Sequence, residues 1–404
     1  MTSPLAGIRV VELAEQAFVP SAGAAMADLG ADVIKIERPS GDPIRQVIAR
    51  GMVPSADGVD FLYEIANRNK RNIAIDITVP DGRAVLERLI ATADVFLTNQ
   101  LPQVQRKLRT TPQDIFAIKP AIVYARGHGQ GQLGPDAEAG GYDGVSYWAR
   151  GGLSHILTDR RAEAPAVQRP ALGDLPSGMF LMGGICAALV YAARTGKGIV
   201  VDTSLLNAAV WTLSPDLAYT ALTGRQMPLH VGERSPLTRV YRTSDGRFIQ
   251  LMMINEDRYW IPCTDALGLP DLARKYADPA LRREHWGELR GKFAAAIGQI
   301  EHDDLVRELN GRGCIFSGYA TPQDVLEDPA ALANGYLMTH PVETRLRLGT
   351  PPVQFDDTAP QIRRPAPGIG QDSGEILLEL GYSGDDVAAF MSSGAVAGEP
   401  KERT

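Results

Sequence analysis

The chain has 404 residues, 44% of them hydrophobic and 22% charged, with 41 Lys plus Arg against 48 Asp plus Glu and a net charge of −7. That length predicts two domains, or one large domain carrying an insertion. The acidic balance speaks against a general nucleic-acid binder, which needs a basic face. Three widely spaced cysteines (Cys186, Cys263, Cys314) form no CxxC pair, which predicts reduced thiols in a cytoplasmic protein rather than a zinc site or disulfide framework. Residues 1–7 show no charged and apolar leader, so no signal peptide is expected. The apolar run 179–190 contains two glycines. It is too short to span a membrane and reads as a buried helix.

In chain order, residues 8–13 predict a strand, 21–29 a small-residue helix ended by Gly30, and 32–36 a second strand. The alternation continues with strand 72–77, helix 81–92, strand 94–98, helix 112–118 and strand 121–125. Repeated units of this length predict an α/β fold with a largely parallel sheet and helices on both faces. Ligands of such sheets bind beyond the carboxyl ends of the strands. Here those ends are residues 15–18, 37–38, 99–100 and 126–129. A helix ending near Gly196, a strand at 199–202 and an apolar helix through Trp211 follow.

Residues 223–237 have the Gly, Pro and polar content of a linker. Beyond them, 241–253 predicts two strands around the turn 244–247, and Arg- and Glu-rich helices run to about Leu309. The expected organisation is a large α/β domain over 1–225 and a smaller α+β domain over 226–325. Residues 326–404 form a linker and tail. Their Pro-rich stretch 351–367, followed by a helix at 373–380, predicts a segment running extended back to the large domain.

No GxGxxG follows the first strand, and GxxxxGK[ST], GxSxG and HExxH are all missing. A dinucleotide site, a P-loop, a serine-hydrolase elbow and a zincin site are therefore not expected. The six histidines do not pair at ligand spacing, so no metal site is expected. Two features carry chemistry. Arg68, Lys70 and Arg71 place three cations in four positions before a strand, and Arg38 ends the preceding strand. This is either a solvated charge run or a clamp for a phosphorylated ligand in one crevice. The second feature is Asp174, flanked by Gly173 and Gly178 and opening a small, apolar helix. It is either an N-cap or a poorly solvated carboxylate nucleophile, kept ionised by the helix dipole.

The stretches 4–10, 30–38, 67–71 with Ile75 and Asp76, 171–189, 196–198, 201–202, 367–371 and 375–382, in this order, resemble family III CoA-transferases. The resemblance implies that Asp174 attacks an acyl-CoA thioester and carries CoA as an aspartyl thioester to a second carboxylic acid. Coenzyme A then enters as acyl-CoA substrate, with no permanently bound cofactor. The racemase branch of the family needs a histidine where this chain has Tyr142, within Gly141, Tyr142 and Asp143. A tyrosine's ordinary pKa of ~10 suits proton abstraction poorly, so Tyr142 is read as a hydrogen-bond donor beside Asp174. The alternatives are an acyl-CoA racemase or isomerase working by α-proton transfer, and a non-catalytic CoA-ester binder.

The resemblance further places Arg38, Arg71 and Asn99 near the nucleotide and brings the turn at 14–18, with Gln16 and Ala17, to the pantetheine. Ala17 stands where the formyl-CoA branch has a glutamine, and residues 251–256 replace that branch's glycine-rich loop. An interlocked homodimer is implied, with a Rossmann-like large domain and neither membrane nor nucleic acid as partner.

Overall fold

The computed structural model describes residues 3–159, 161–228, 234–356 and 360–398. Part of the expected linker, residues 229–233, lies outside them. The chain divides into two compact units, one of residues 1–218 with 330–404 and the other of 219–329.

The first unit is built on strands β1 (Arg9–Leu13), β2 (Asp32–Glu37), β3 (Arg71–Ile75), β4 (Val95–Thr98), β5 (Val123–His128) and β6 (Ile199–Ser204). Between them run α1 (Phe18–Asp28), α2 (Phe61–Asn67), α3 (Pro80–Thr92), α4 (Pro102–Leu108), α5 (Pro112–Ile118), α6 (Leu153–Leu157) and α7 (Asp174–Thr195). Helices α8 (Leu205–Thr212) and α9 (Ser214–Thr223) follow β6. The second unit holds the three-stranded antiparallel sheet of β7 (Val240–Arg242), β8 (Phe248–Leu251) and β9 (Phe316–Gly318). It is covered by α10 (Glu256–Ala266), α11 (Pro270–Lys275), α12 (Pro279–Glu284), α13 (Trp286–Ile297) and α14 (His302–Gly311), and ends near α15 (Pro322–Glu327). The chain then returns through α16 (Pro329–Ala333), the hairpin β10 (Leu337–Thr339) and β11 (Arg347–Gly349), α17 (Ser373–Glu379), α18 (Gly384–Ser392) and β12 (Val396–Ala397).

The large sheet has the order β12-β3-β2-β1-β4-β5-β6, with β12 antiparallel and the other strands parallel. Chain order reverses between β1 and β4, and that is the switch point where doubly wound sheets open a crevice at their carboxyl edge. Alternation along the strands separates two cores. Val10, Val33, Val95 and Val123 face α1, α7 and α8, while Val11, Ile34, Phe96 and Tyr124 face α3, α5, α17 and α18.

Two readings change. The apolar run at 179–190 is part of a 22-residue helix that is apolar and long enough to cross a membrane, yet most of it is not buried. Leu181, Met182, Ile185 and Ala188 enter the core, whereas Phe180, Val190 and Tyr191 are exposed. The small residues that made the run look wholly buried serve a close contact on one face. The segment at 67–71, in turn, is neither a solvated run nor an open phosphate clamp. Arg68 pairs with Asp28 at 2.6 Å, Lys70 with Glu12 at 2.8 Å and Arg71 with Asp32 at 2.7 Å.

Candidate active site

Asp174 is the first residue of α7. Gly173 occupies the capping position, and no side-chain cap is made. The carboxylate therefore is not the N-cap, one of its two readings, and it makes no hydrogen bond among the described residues. Four residues on, and hence on the same helix face, Gly178 meets the start of α1. A Cβ there would lie 2.0 Å from Ser21 Oγ and 2.9 Å from the Phe18 carbonyl oxygen. Asp174 thus sits about one helical turn of α7, ~6 Å of rise, from the residue that meets the first turn of α1. That helix start is uncapped as well, Ala17 providing no side-chain acceptor. Its free amide N–H groups make a local positive pole.

The other wall is a π-helical turn, Gly144–Ala149. Gly173 lies so close to Tyr147 that a Cβ would come within 2.6 Å of the ring. Asp143 precedes this turn and binds the Gly144 amide through Oδ1 at 2.8 Å. Burial, and then the charge of Asp143, push Asp174 up to about 8. Both act against the helix dipole, which was expected to keep this carboxylate ionised.

Sequence reasoning assigned no role to Asp143, Gln130 or Gln168. Asp143 Oδ2, Gln130 Oε1 and Gln168 Oε1 are buried without a hydrogen-bond partner among the described residues. They gather around one segment, since Gln130 donates to Ser146 Oγ at 2.9 Å and a Cβ on Gly144 would lie 3.7 Å from Gln168 Nε2. The available signal was the glycine pair. Gly129 and Gly141 approach so closely that a Cβ on Gly141 would lie 2.8 Å from the Gly129 Cα. Tyr142 is 65% exposed and turned to solvent.

The crevice at the switch point receives Arg38, Gln16, Ala17 and Asn99. Arg38 is exposed beyond β2 and paired with Glu15. Asn99 is half-buried there. Its amide accepts from Glu15 N at 3.0 Å and donates to Glu15 O at 2.7 Å, closing the loops after β1 and β4 on each other. Arg71 lies elsewhere. It sits near the amino-terminal edge of the sheet, on the face covered by α17, bound to Asp32 and to Glu379 at 2.7 Å. Arg71, expected near the nucleotide, is held in that placement by carboxylates of the fold itself. A cleft of about 530 Å³ in the second unit is lined by Arg283, Trp286 and Glu256 among others, and contains none of the predicted site residues.

The sequence profile of CoA-transferase family III matches residues 5–373. The chain belongs to CoA-transferase family III. This family III CoA-transferase is 30% identical over 397 residues to a cinnamoyl-CoA:phenyllactate CoA-transferase of Clostridium sporogenes, covering 96% of this chain and 95% of the relative. It is 28% identical to the human alpha-methylacyl-CoA racemase, with 96% of each chain covered. Among solved structures, a CAIB/BAIF family protein from Brucella suis matches with a TM-score of 0.78 and 28% identity, covering 94% of this chain and 100% of that one. The CoA-transferase is accordingly an enzyme acting on CoA thioesters.

Proposed function

We propose that the enzyme moves CoA from an acyl-CoA thioester to a second carboxylic acid through a covalent aspartyl-CoA intermediate on Asp174. The observation that carries this reading is a carboxylate without a hydrogen bond among the described residues, one turn of α7 from the contact with the uncapped start of α1 at the carboxyl edge of the sheet. A carboxylate oxygen of Asp174 attacks the thioester carbonyl, and the C–S bond breaks to give an acyl-aspartyl anhydride and CoA thiolate. The thiolate attacks the aspartyl carbonyl carbon, and the first acid leaves as carboxylate. The second carboxylate then repeats both steps in reverse and departs as its own CoA ester, restoring Asp174. One thioester replaces another, so no external energy source is required. Amide N–H groups of the α1 start are suited to the developing oxyanions. Gln16 and Ala17 face the pantetheine, Arg38 exchanges Glu15 for the nucleotide, and Tyr142 donates a hydrogen bond. Tyr142→Phe lowers transfer modestly.

The test incubates the protein with cinnamoyl-CoA, acetyl-CoA and a 2-methylacyl-CoA, adds hydroxylamine, and weighs the peptide bearing Asp174, with Asp174→Ala as control. A hydroxamate on Asp174 is expected. A second reading, α-proton transfer, is favoured by the Asp143–Asp174 pair and by the likeness to a racemase. Absence of any adduct, together with deuterium uptake at the α-carbon of the 2-methylacyl ester, would establish it instead.

The assembly we propose is an interlocked homodimer. Exposed Phe180, Val190 and Tyr191 on α7 and Trp211 on α8, the last 71% accessible, support a second copy covering this face. Trp211→Glu should lower the mass measured by light scattering towards that of one chain. The free thiols support residence in a reducing, cytoplasmic compartment.

A further inference from the structure

Three consecutive residues of the turn after β1 are each held by a side chain from a different segment. Lys35 Nζ donates to the Ala14 carbonyl at 2.9 Å. Asn99 pairs with both backbone groups of Glu15 at 3.0 and 2.7 Å. Asp42 Oδ1 accepts from Gln16 N at 3.1 Å. Gln16 itself adopts a left-handed φ of 68°, a conformation that residues other than glycine avoid unless held. The holders are themselves tied together behind the turn. Lys35 pairs with Asp42 at 2.9 Å and with Glu12 at 3.5 Å, and Glu12 with Lys70 at 2.8 Å. Lys70 donates further to the Pro20 carbonyl of α1 and to Asn67 Oδ1, at 2.8 and 3.1 Å. Glu12, Lys35 and Lys70 are fully buried. Gly23 makes room for them, since a Cβ there would lie 1.9 Å from Glu12 Oε2.

A surface turn does not need a buried four-member charge relay for its own sake. This one lies at the switch point, between the uncapped start of α1 and the loop after β4. We infer that Asn99, Lys35 and Asp42 are positioning residues that fix the turn at 14–16 as a rigid seat for the CoA moiety, with Glu12 and Lys70 acting through them. The inference rests on the proposed CoA-transfer site and assigns its ground-state binding, as distinct from the reaction at Asp174, to this clamp.

The test uses the full-length protein and two readouts: the Kd of coenzyme A by calorimetry, and the rate of hydroxamate formation at saturating cinnamoyl-CoA. Losing these backbone hydrogen bonds, two to Glu15 in Asn99→Ala and one to Gln16 in Asp42→Ala, should weaken coenzyme A binding by roughly tenfold or more. Asp42→Asn keeps an acceptor for the Gln16 amide but withdraws the charge that faces buried Lys35 at 2.9 Å, so its binding should fall between that of the parent and that of Asp42→Ala. The saturating rate should change by less than about twofold in all three. An unchanged Kd in folded Asn99→Ala overturns the inference, as does a fall in the saturating rate with Kd unaltered. If Asp42→Ala does not fold, Asn99→Ala, half-buried and outside the ion cluster, decides alone. A parent protein that forms no hydroxamate but binds coenzyme A defeats the Asp174 reading, while the Kd comparison still judges the clamp. A parent that does not bind coenzyme A defeats both.

Discussion

Asp174 combines two properties that pull against each other. A nucleophilic carboxylate must be ionised, yet burial and Asp143 push this one from 3.8 up to about 8. The free enzyme should therefore gain kcat/KM as pH rises and level off above about 8. Asp143→Asn removes the neighbouring charge and should move the rising limb to lower pH; a profile that stays put would show that Asp143 does not act on Asp174. Stability runs the other way. Between 3.8 and about 8 the unfolded chain has released the Asp174 proton while the folded chain keeps it, so this group's contribution is full below 3.8 and declines as pH rises through the window. Asp174→Asn should accordingly unfold at a higher temperature than the parent at pH 9 and near the same temperature at pH 4. The position of this carboxylate was legible because glycines and small residues flank it locally. Its protonation was not, because Asp143 and the wall at Tyr147 arrive from another segment.

Among the elements, the segment entering β3 shows most sharply what spacing alone leaves open. Three cations in four positions suggested a ligand, and only the fold supplies their actual partners: Asp28 on α1, Glu12 on β1 and Asp32 on β2. Strand and helix order through β6 could be read from periodicity, since each element satisfies its own pattern. Partner choice depends on which strands become neighbours, and the pairing of Asn99 with the Glu15 backbone was not legible for the same reason. Lys70→Met gives a direct check. It would leave Glu12, fully buried, with only the longer 3.5 Å contact to Lys35. Removing one partner of a buried pair costs about 3–5 kcal/mol, so the midpoint of chemical denaturation should fall markedly. Arg38→Met, at an exposed pair, should change stability by less than about 1 kcal/mol. If Lys70 instead served a phosphate, its replacement would weaken coenzyme A binding and leave the denaturation midpoint in place.

At the scale of the whole chain, the C-terminal residues complete the unit that the N-terminal residues begin. The Asn69 side chain accepts from the amides of Arg363 and Arg364 at 2.6 and 3.1 Å, and Asp372 accepts from the Asn72 amide at 2.8 Å. The Pro367 carbonyl accepts from Arg45 at 2.9 Å and from the Tyr63 hydroxyl at 3.1 Å. Beyond this seam, α17 and α18 bring Ile376, Leu377, Tyr382 and Val387 onto the second face of the sheet, and β12 closes its edge against β3. The Pro-rich composition suggested an extended return, but the edge strand, two residues long, carries no periodicity to read. These contacts are integral to the fold. A chain ending at residue 359 would expose that core face and leave Asn69, Asn72 and Tyr63 without their tail partners. It should therefore lose its near-UV circular dichroism and bind a hydrophobic dye. Leu377→Ala grades the same claim without removing the seam. Its side chain is 0% exposed, and truncating such a leucine costs about 2–5 kcal/mol. A truncated chain that unfolds as cooperatively as the parent, with Leu377→Ala near neutral, would mean that the N-terminal strands and helices form a self-sufficient core and that the tail only decorates it.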